Sequence, residues 1–166
     1  GTGKSIPNPF DSTTISVNLI TRDIKSMMNS LSLSKAIIIG HSWGGALAMN
    51  FAALFPERVE HLVLIAPGPH KDVKKGFEVL SANRIHTRSF GEEQRLSKLN
   101  ELITNKKADS TEISEASTLF RRAYIFANPI PDTIFALVNA ERNSKTSDIL
   151  LNELFNNFDL STSIKK

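Results

Sequence analysis

Apolar residues recur at two different spacings in the first half of the chain, and each spacing predicts a different element. From residue 13 to residue 31 they recur every three or four positions, which predicts an amphipathic helix covering one face of a sheet. Residues 35–39 and 59–66 each contain a continuous apolar run with β-branched side chains, at 36–39 and 62–66, and these runs predict two strands buried on both faces. Residues 46–54 predict a second helix between these strands. This order predicts a β-α-β unit with parallel strands.

The first helix is preceded by polar residues with helix-starting side chains, because any residue of the stretch 11–14 can act as an N-cap. After residue 69 the apolar pattern is helical throughout. The helices predicted there cover residues 73–80, 92–106, 111–126, 132–142 and 147–158. The chain therefore changes near residue 70 from mixed strands and helices to helices alone.

The segment Gly40-His41-Ser42-Trp43-Gly44 joins the first predicted strand to the helix that follows it. Gly-x-Ser-x-Gly in this position predicts a nucleophile elbow, a sharp turn that lifts the serine hydroxyl above the sheet. We expect a side chain at Gly40 or Gly44 to collide with neighbouring backbone, and Ser42 to have a strained conformation. Ser42 is therefore the predicted nucleophile, and the backbone N–H of Trp43 is a predicted oxyanion donor. The alternative is a serine with only a structural role in a strand-to-helix turn.

These residues are similar to the nucleophile region of the α/β-hydrolase superfamily. The variant Gly-His-Ser-Trp-Gly-Gly at 40–45, followed by Phe-Pro-Glu-Arg-Val at 55–59, most resembles the proline iminopeptidase branch. The opening residues 1–5, with prolines after them, resemble the stretch that follows an earlier strand in that branch. The resemblance implies the α/β fold class, with a partial α/β-hydrolase core in residues 1–69. It also implies that residues 70–166 form an α-helical cap.

A serine hydroxyl needs a general base to remove its proton and a carboxylate to orient that base. In the family that this chain resembles, both follow the serine on loops after later strands, and no such strands are predicted here. The triad Asp and His are therefore expected outside this chain. Of the four histidines, His41 diverges from the adjacent serine, His61 starts a strand at the opposite end and His86 is predicted on the cap surface. His70 follows the second predicted strand near the catalytic end, so it is the local alternative.

Two strands that are apolar on both faces cannot form the core of a domain by themselves, and their open edges promote association. The second oxyanion donor normally comes from a glycine-rich loop after an earlier strand, and it is also not found. We therefore expect the 166 residues to be a piece of a longer protein. The missing sheet strands would come from the rest of the same protein or from another chain.

The resemblance implies a serine hydrolase that transfers an acyl group to water, with an aminopeptidase of proline iminopeptidase type as the narrower prediction. Such an enzyme needs a carboxylate for the α-ammonium group of its substrate. The predicted cap offers Glu78, Glu112, Glu115 and Glu141, although none matches a family motif. The bacterial members of the branch carry a Trp-Glu segment in the cap, whereas the only tryptophan here is Trp43. An ester, lactone or amide hydrolase is therefore the alternative, and a non-catalytic ligand-binding or partner-binding scaffold is the alternative from another class.

Composition argues against several other classes. The formal net charge is +3 and the charges are evenly spread, which argues against nucleic acid as a partner. There is no cysteine, so a disulfide framework and a thiolate metal site are excluded, and no metal or cofactor is expected. The longest apolar runs are far shorter than a membrane span, and the first residues show no signal-peptide pattern. We therefore expect a cytoplasmic protein without membrane contact, acting on a small-molecule or short-peptide substrate.

Overall fold

Residues 6–85, 87–122 and 144–163 are described by the computed structural model, and within them lie six α-helices, two β-strands and one 3-10 helix. In chain order the elements are α1 Val17–Ser30, β1 Ala36–His41, α2 Trp43–Leu54, the 3-10 helix Pro56–Arg58, β2 Val59–Ile65, α3 Val73–Ile85, α4 Phe90–Thr104, α5 Ser110–Arg122 and α6 Ser144–Asn157. The predicted helix 132–142 lies outside the described residues. Each of the other predicted elements overlaps an observed one, and the predicted α/β fold class is confirmed.

The chain divides into two compact units. Their described residues are 6–76 with 144–163 in the first unit, and 77–85 with 87–122 in the second. The first unit contains both strands and the predicted elbow. The second unit is helical.

Helix α6 belongs to the first unit, whereas the predicted cap extended to residue 166. The physical reason is burial, because Leu150 and Leu154 of α6 lie in one apolar cluster with Ile15 and Val17 at the start of α1. The apolar pattern of α6 predicted a helix but not its partner. The predicted boundary at residue 70 and the observed division into units therefore differ in how α6 packs, not in its secondary structure.

Helix α1 begins later than predicted, because its N-cap is Ser16 and not a residue of the polar stretch before it. The Ser16 hydroxyl oxygen accepts a hydrogen bond of 3.1 Å from the N–H of Leu19. Asp11 instead closes a turn of its own, in which its carboxylate accepts bonds from the N–H and hydroxyl of Thr13 at 2.8 and 2.6 Å. The prediction that the stretch 11–14 caps α1 is therefore wrong.

The two strands pair in parallel, with Ile38 opposite Leu62. Helix α2 packs against both of them. On the opposite face of β1, Ile37 and Ile39 are 54% and 65% exposed, because no described element covers them. The prediction of strands buried on both faces is therefore wrong for the described part of the chain.

A buried polar contact joins α1 to α2. Asn50 donates through its Nδ2 to the Oγ1 of Thr21 at 2.9 Å and to the Oδ1 of Asn18 at 3.2 Å. Thr21 in turn donates its hydroxyl to the carbonyl of Val17 at 2.7 Å. Since buried polar groups are costly unless they are hydrogen-bonded, this network favours one arrangement of the two helices. It thereby holds α2, whose first residue follows Ser42 directly.

In the second unit, α4 and α5 pack around Leu96, Leu99 and Ala116. Arg95 and Glu115 join the same helices through a two-pronged ion pair, with N–O distances of 2.9 and 2.6 Å. Within the described ranges, no helix has the length and apolar character needed to cross a bilayer.

Candidate active site

Ser42 lies between the end of β1 and the start of α2, with φ 53° and ψ −119°. A positive φ is costly for a residue with a side chain, and such strain persists only where the surrounding structure imposes it. The strained conformation expected at the elbow is thus observed. Ser42 is also exposed, so its hydroxyl is accessible to a substrate.

Two glycines around Ser42 are required by close approach of the backbone. A Cβ added to Gly40 would lie 2.4 Å from the carbonyl oxygen of Gly44, and one added to Gly45 would lie 2.7 Å from the Cβ of Pro67. A Cβ added to Gly44 meets nothing within 4 Å in the described structure. The predicted collision is therefore correct for Gly40 and wrong for Gly44, because the tight contact falls on the next residue. Both glycines were visible in the sequence, but the spacing of the Gly-x-Ser-x-Gly motif pointed to Gly44, whereas the close contact is made at Gly45.

Hydrogen bonds hold the backbone of Ser42 on both sides. Its N–H donates to the carbonyl of Ile65, the last residue of β2, at 3.1 Å. Its own carbonyl accepts from the N–H groups of Gly45 at 2.9 Å, Ala46 at 3.4 Å and Gly68 at 2.9 Å. The elbow is therefore fastened both to α2 and to the turn that follows β2.

The backbone N–H of Trp43 is the first of α2, and the Ser42 side chain does not cap it. N–H groups in the first turn of a helix have no acceptor within the helix, and the helix dipole makes this end positive. No acidic residue occupies the first turn of α2 to offset that charge. The N–H of Trp43 can therefore stabilise an oxygen that becomes negative next to Ser42. The side chain of Trp43 packs against two buried apolar clusters, one that includes Val17 and Leu154 and one that includes Ala46 and Leu160.

None of the described histidines forms a hydrogen bond with Ser42. His41, His61 and His70 are all exposed, and no hydrogen bond joins any of them to the Ser42 hydroxyl within the described residues. The carbonyl of His70 accepts a bond of 2.9 Å from the N–H of Leu160, which ties the loop after β2 to the end of the described chain. His86 lies outside the described residues. The structure therefore adds nothing in favour of His70 as the base.

Asp159 interacts electrostatically with Lys71 and His70 of that loop. Hydrogen bonds from Ser161 lower the pKa of Asp159 below its ordinary value, and the positive charges of Lys71 and His70 lower it further. Its carboxylate accepts the N–H of Ser161 at 2.7 Å. This carboxylate is engaged in a local turn with Ser161, and no hydrogen bond joins it to a described histidine.

Among the described residues, no group of three His, Asp or Glu side chains is arranged to hold a metal ion. Two open surface grooves, of about 550 and 390 Å³, meet at Asn29 of α1. Lys35 and Arg22 are among the residues that line them, and Ser42 is not. The candidate chemistry is therefore that of Ser42 and its backbone donors.

The family of this chain follows from comparison with known sequences. A family model described as the α/β-hydrolase fold matches residues 1–102, which is more than half of the 166 residues. The chain belongs to the α/β-hydrolase fold family. The match includes both strands, α2 and the whole elbow.

Individual relatives are similar over shorter stretches. The chain is 42% identical over 74 residues to a provisionally named esterase/lipase of Haemophilus influenzae, which is 40% of this chain and 26% of that protein. It is 49% identical over 47 residues to the 2-hydroxy-6-oxononadienedioate/2-hydroxy-6-oxononatrienedioate hydrolase of Comamonas testosteroni, or 28% of this chain and 16% of that one. It is 47% identical over 55 residues to human epoxide hydrolase 4, or 33% of this chain and 15% of that one.

The matched stretches thus span between 15% and 26% of the length of these relatives. Their names describe hydrolases, and they do not support the proline iminopeptidase branch that the sequence resembled. The ester hydrolase alternative agrees with the name of the Haemophilus relative.

Proposed function

We propose that Ser42 is the nucleophile of a serine hydrolase that transfers the acyl group of a carboxylic ester to water. The observation that carries the proposal is the backbone of Ser42, which has φ 53° between a parallel strand and a helix start. Strain of this kind accumulates at functional sites, and a serine without a chemical role has no need of it. The family and the name of the Haemophilus relative support the same chemistry.

In the proposed reaction the Ser42 oxygen attacks the ester carbonyl carbon while a base removes its proton. The carbonyl π electrons move to oxygen, and the N–H of Trp43 stabilises that charge. The carbon–oxygen bond to the alcohol then breaks, and the alcohol leaves with the proton from the base. Water repeats the sequence on the acyl-enzyme, so the products are the alcohol, the acid and free Ser42.

A serine nucleophile favours esters over epoxides. If Ser42 opened an epoxide, the product would be an ether, which has no carbonyl carbon for water to attack and would stay on the enzyme. An acyl group on Ser42 is an ester and can be hydrolysed. Although three of the relatives are named epoxide hydrolases, the residue at the elbow of this chain supports acyl transfer.

We further propose that the rest of a longer polypeptide supplies the base, its orienting carboxylate and the missing sheet strands. The support is the exposure of apolar strand residues, because Ile39 of β1 and Ile65 of β2 are 65% and 51% exposed. Apolar strands of parallel sheets are ordinarily covered on both faces. The described histidines, which make no bond to Ser42, agree with a base from elsewhere.

The aminopeptidase prediction finds less support. Of its candidate carboxylates, Glu115 is ion-paired with Arg95, and Glu112 accepts the N–H of Asp109 at the start of α5. Glu78 is exposed on α3, and Glu141 lies outside the described residues. The described part of the helical unit therefore offers no partly desolvated, unengaged carboxylate for an α-ammonium group.

The test uses the complete polypeptide, its Ser42→Ala variant and Ser30→Ala as a matched control at an exposed serine of α1. A fluorophosphonate should label Ser42, and Ser42→Ala should lower kcat for an aryl ester by about 10⁶-fold, whereas Ser30→Ala should not change it. Labelling elsewhere, or full activity of Ser42→Ala, would contradict the nucleophile and favour a binding scaffold. Faster hydrolysis of a free amino-acyl arylamide than of its N-acetyl form would restore the aminopeptidase.

A further inference from the structure

The carbonyl of Ser42 and the N–H of Trp43 belong to the same peptide unit. That unit is planar and trans, so its C=O and N–H point in opposite directions. Any contact that sets the direction of the Ser42 carbonyl therefore also sets the direction of the Trp43 N–H. The direction matters because an oxyanion donor works only when it points at the position where negative charge develops.

The Ser42 carbonyl receives its bonds from two parts of the fold. The N–H groups of Gly45 and Ala46, at 2.9 and 3.4 Å, come from α2 itself and are part of its first turn. The N–H of Gly68, at 2.9 Å, comes from the turn after β2. Gly68 is thus the donor that anchors this peptide unit to the sheet and not only to its own helix.

The turn that carries Gly68 is itself constrained. Ile65 accepts the N–H of Ser42 at 3.1 Å, so the peptide unit before Ser42 is fixed by the same turn. Ala66 has φ 40°, a conformation that is unfavourable for a residue with a Cβ. Pro67 has a fixed φ and lies against Gly45 of α2. The chain therefore reverses sharply between Ile65 and Gly68 and presents two backbone groups to Ser42.

We propose that the backbone N–H of Gly68 is a positioning group for the oxyanion donor of Trp43. It does not touch the substrate. It holds the Ser42 carbonyl so that the N–H on the other side of the same peptide unit points towards the reacting oxygen. The proposal rests on the proposed function of Ser42 and adds a role for a turn that lies outside the elbow motif.

The test removes the N–H of residue 68 and keeps its side chain. In the complete polypeptide, Gly68→Ala is the reference variant, because a Cβ there lies 3.6 Å from the Cβ of Ala46 and 3.7 Å from the Ser42 oxygen, which are ordinary contacts. Lactic acid placed at position 68 has the same methyl group but an ester oxygen instead of the N–H. Relative to Gly68→Ala, this chain should show a kcat about 10- to 100-fold lower for an aryl ester, at unchanged KM.

If the N–H of Gly68 had only a structural role, its loss would reduce the fraction of enzyme molecules that are active. The active molecules would still bind the transition state as tightly as before. The amount of active enzyme is therefore measured by fluorophosphonate titration. The affinity for a boronic acid, which forms a tetrahedral adduct with serine, should fall by the same factor as kcat. Unchanged kcat and unchanged boronic acid affinity in a correctly folded lactic acid chain would overturn the proposal.

If the lactic acid chain does not fold, Pro67→Gly takes its place, since it keeps the N–H of Gly68 while it loosens the turn and removes the ring that lies against Gly45. A lower kcat at unchanged KM then supports the proposal, and an unchanged kcat overturns it. The reference variant separates this inference from the proposed function. If the unsubstituted polypeptide neither labels at Ser42 nor hydrolyses the ester, the nucleophile proposal fails; if Gly68→Ala does both and the altered turn has no effect, only the positioning role fails.

Discussion

Glu153 of α6 accepts a hydrogen bond of 2.8 Å from the backbone N–H of Val17, the first residue of α1. The contact joins positions 136 residues apart in the chain. Val17 is buried, so its N–H cannot turn to water for an acceptor. A carboxylate at this end of a helix also complements the helix dipole. The bond therefore explains, together with the apolar cluster around it, why α6 belongs to the unit that carries Ser42.

We predict that Glu153→Ala lowers the free energy of unfolding of the complete polypeptide by about 1 to 3 kcal/mol, because a buried N–H loses its acceptor. Glu153→Gln keeps an acceptor oxygen and should lose less. The control is Glu101→Ala, at an exposed position of α4. Denaturant unfolding measures all three variants. An equal effect of Glu153→Ala and Glu101→Ala would show that the bond contributes nothing.

The glycines at 44 and 45 should respond in opposite ways to alanine. A Cβ at Gly45 would lie 2.7 and 2.8 Å from the Cβ and Cα of Pro67, so Gly45→Ala should force the turn and α2 apart and cost about 1 to 3 kcal/mol. Gly44→Ala meets nothing within 4 Å and should be neutral or stabilise α2 by about 0.5 to 1 kcal/mol. Thermal unfolding compares the two variants. Equal destabilisation by both would contradict the contact with Pro67.

The ion pair in the helical unit predicts a pH dependence. Hydrogen bonding to the Arg95 side chain, with its positive charge, lowers the pKa of Glu115 below its ordinary value. A carboxylate whose pKa is lowered on folding stabilises the folded state above its unfolded pKa, and that stabilisation is lost as the pH falls through the folded pKa. The contribution should therefore be complete near neutral pH, begin to fall as the pH drops below the ordinary pKa of glutamate, and disappear below the lowered pKa of Glu115 in the folded state.

Glu115→Gln removes the titrating group, so the variant should be less stable than the parent at pH 7 and closer to it at pH 3. Helical content on heating, followed by circular dichroism at both pH values, measures the difference. Glu101→Gln, an exposed glutamate that forms no ion pair within the described residues, is the control. A gap between parent and Glu115→Gln that is the same at both pH values would contradict the ion pair as its source.

The exposed face of β1 predicts that Ile39→Lys has opposite effects in the isolated chain and in the complete polypeptide. Ile39 is 65% exposed, so in the isolated 166-residue chain Ile39→Lys should reduce self-association, because a charge interrupts an apolar strand face. If further elements cover that face in the complete polypeptide, the same lysine is buried there and should cost about 3 kcal/mol or more.

Light scattering measures association of the isolated chain, and denaturant unfolding measures the complete polypeptide. Ser34→Lys, which adds the same charge at an exposed position before β1, is the control and should have little effect in either. A harmless Ile39→Lys in the complete polypeptide would show that this face stays open.

The isolated chain should also lack steady ester hydrolysis. Turnover that is lost in Ser42→Ala would show that the base lies within the isolated chain.

Local sequence determined the order and type of the elements. The predicted strand 35–39 and the observed β1 Ala36–His41 coincide closely, because the apolar pattern that predicts a strand lies within a few residues of the chain. The elbow could also be predicted from neighbouring residues, because a serine with φ 53° requires small residues beside it, and these are visible in the sequence. The start of α1 was missed because several residues near it can cap a helix. Only the folded chain selected Ser16 among them.

What the sequence could not determine was which surfaces meet. The tight approach of Pro67 selects Gly45 instead of Gly44, and the bond from Val17 to Glu153 brings α6 to the unit with the strands. Gly68 belongs to no recognised sequence motif, yet its N–H donates a hydrogen bond to the Ser42 carbonyl. Each of these contacts joins residues far apart in the chain, through backbone atoms or through packing. The side-chain pattern records that a residue is apolar, small or charged, but the partner it meets is decided by how the elements pack.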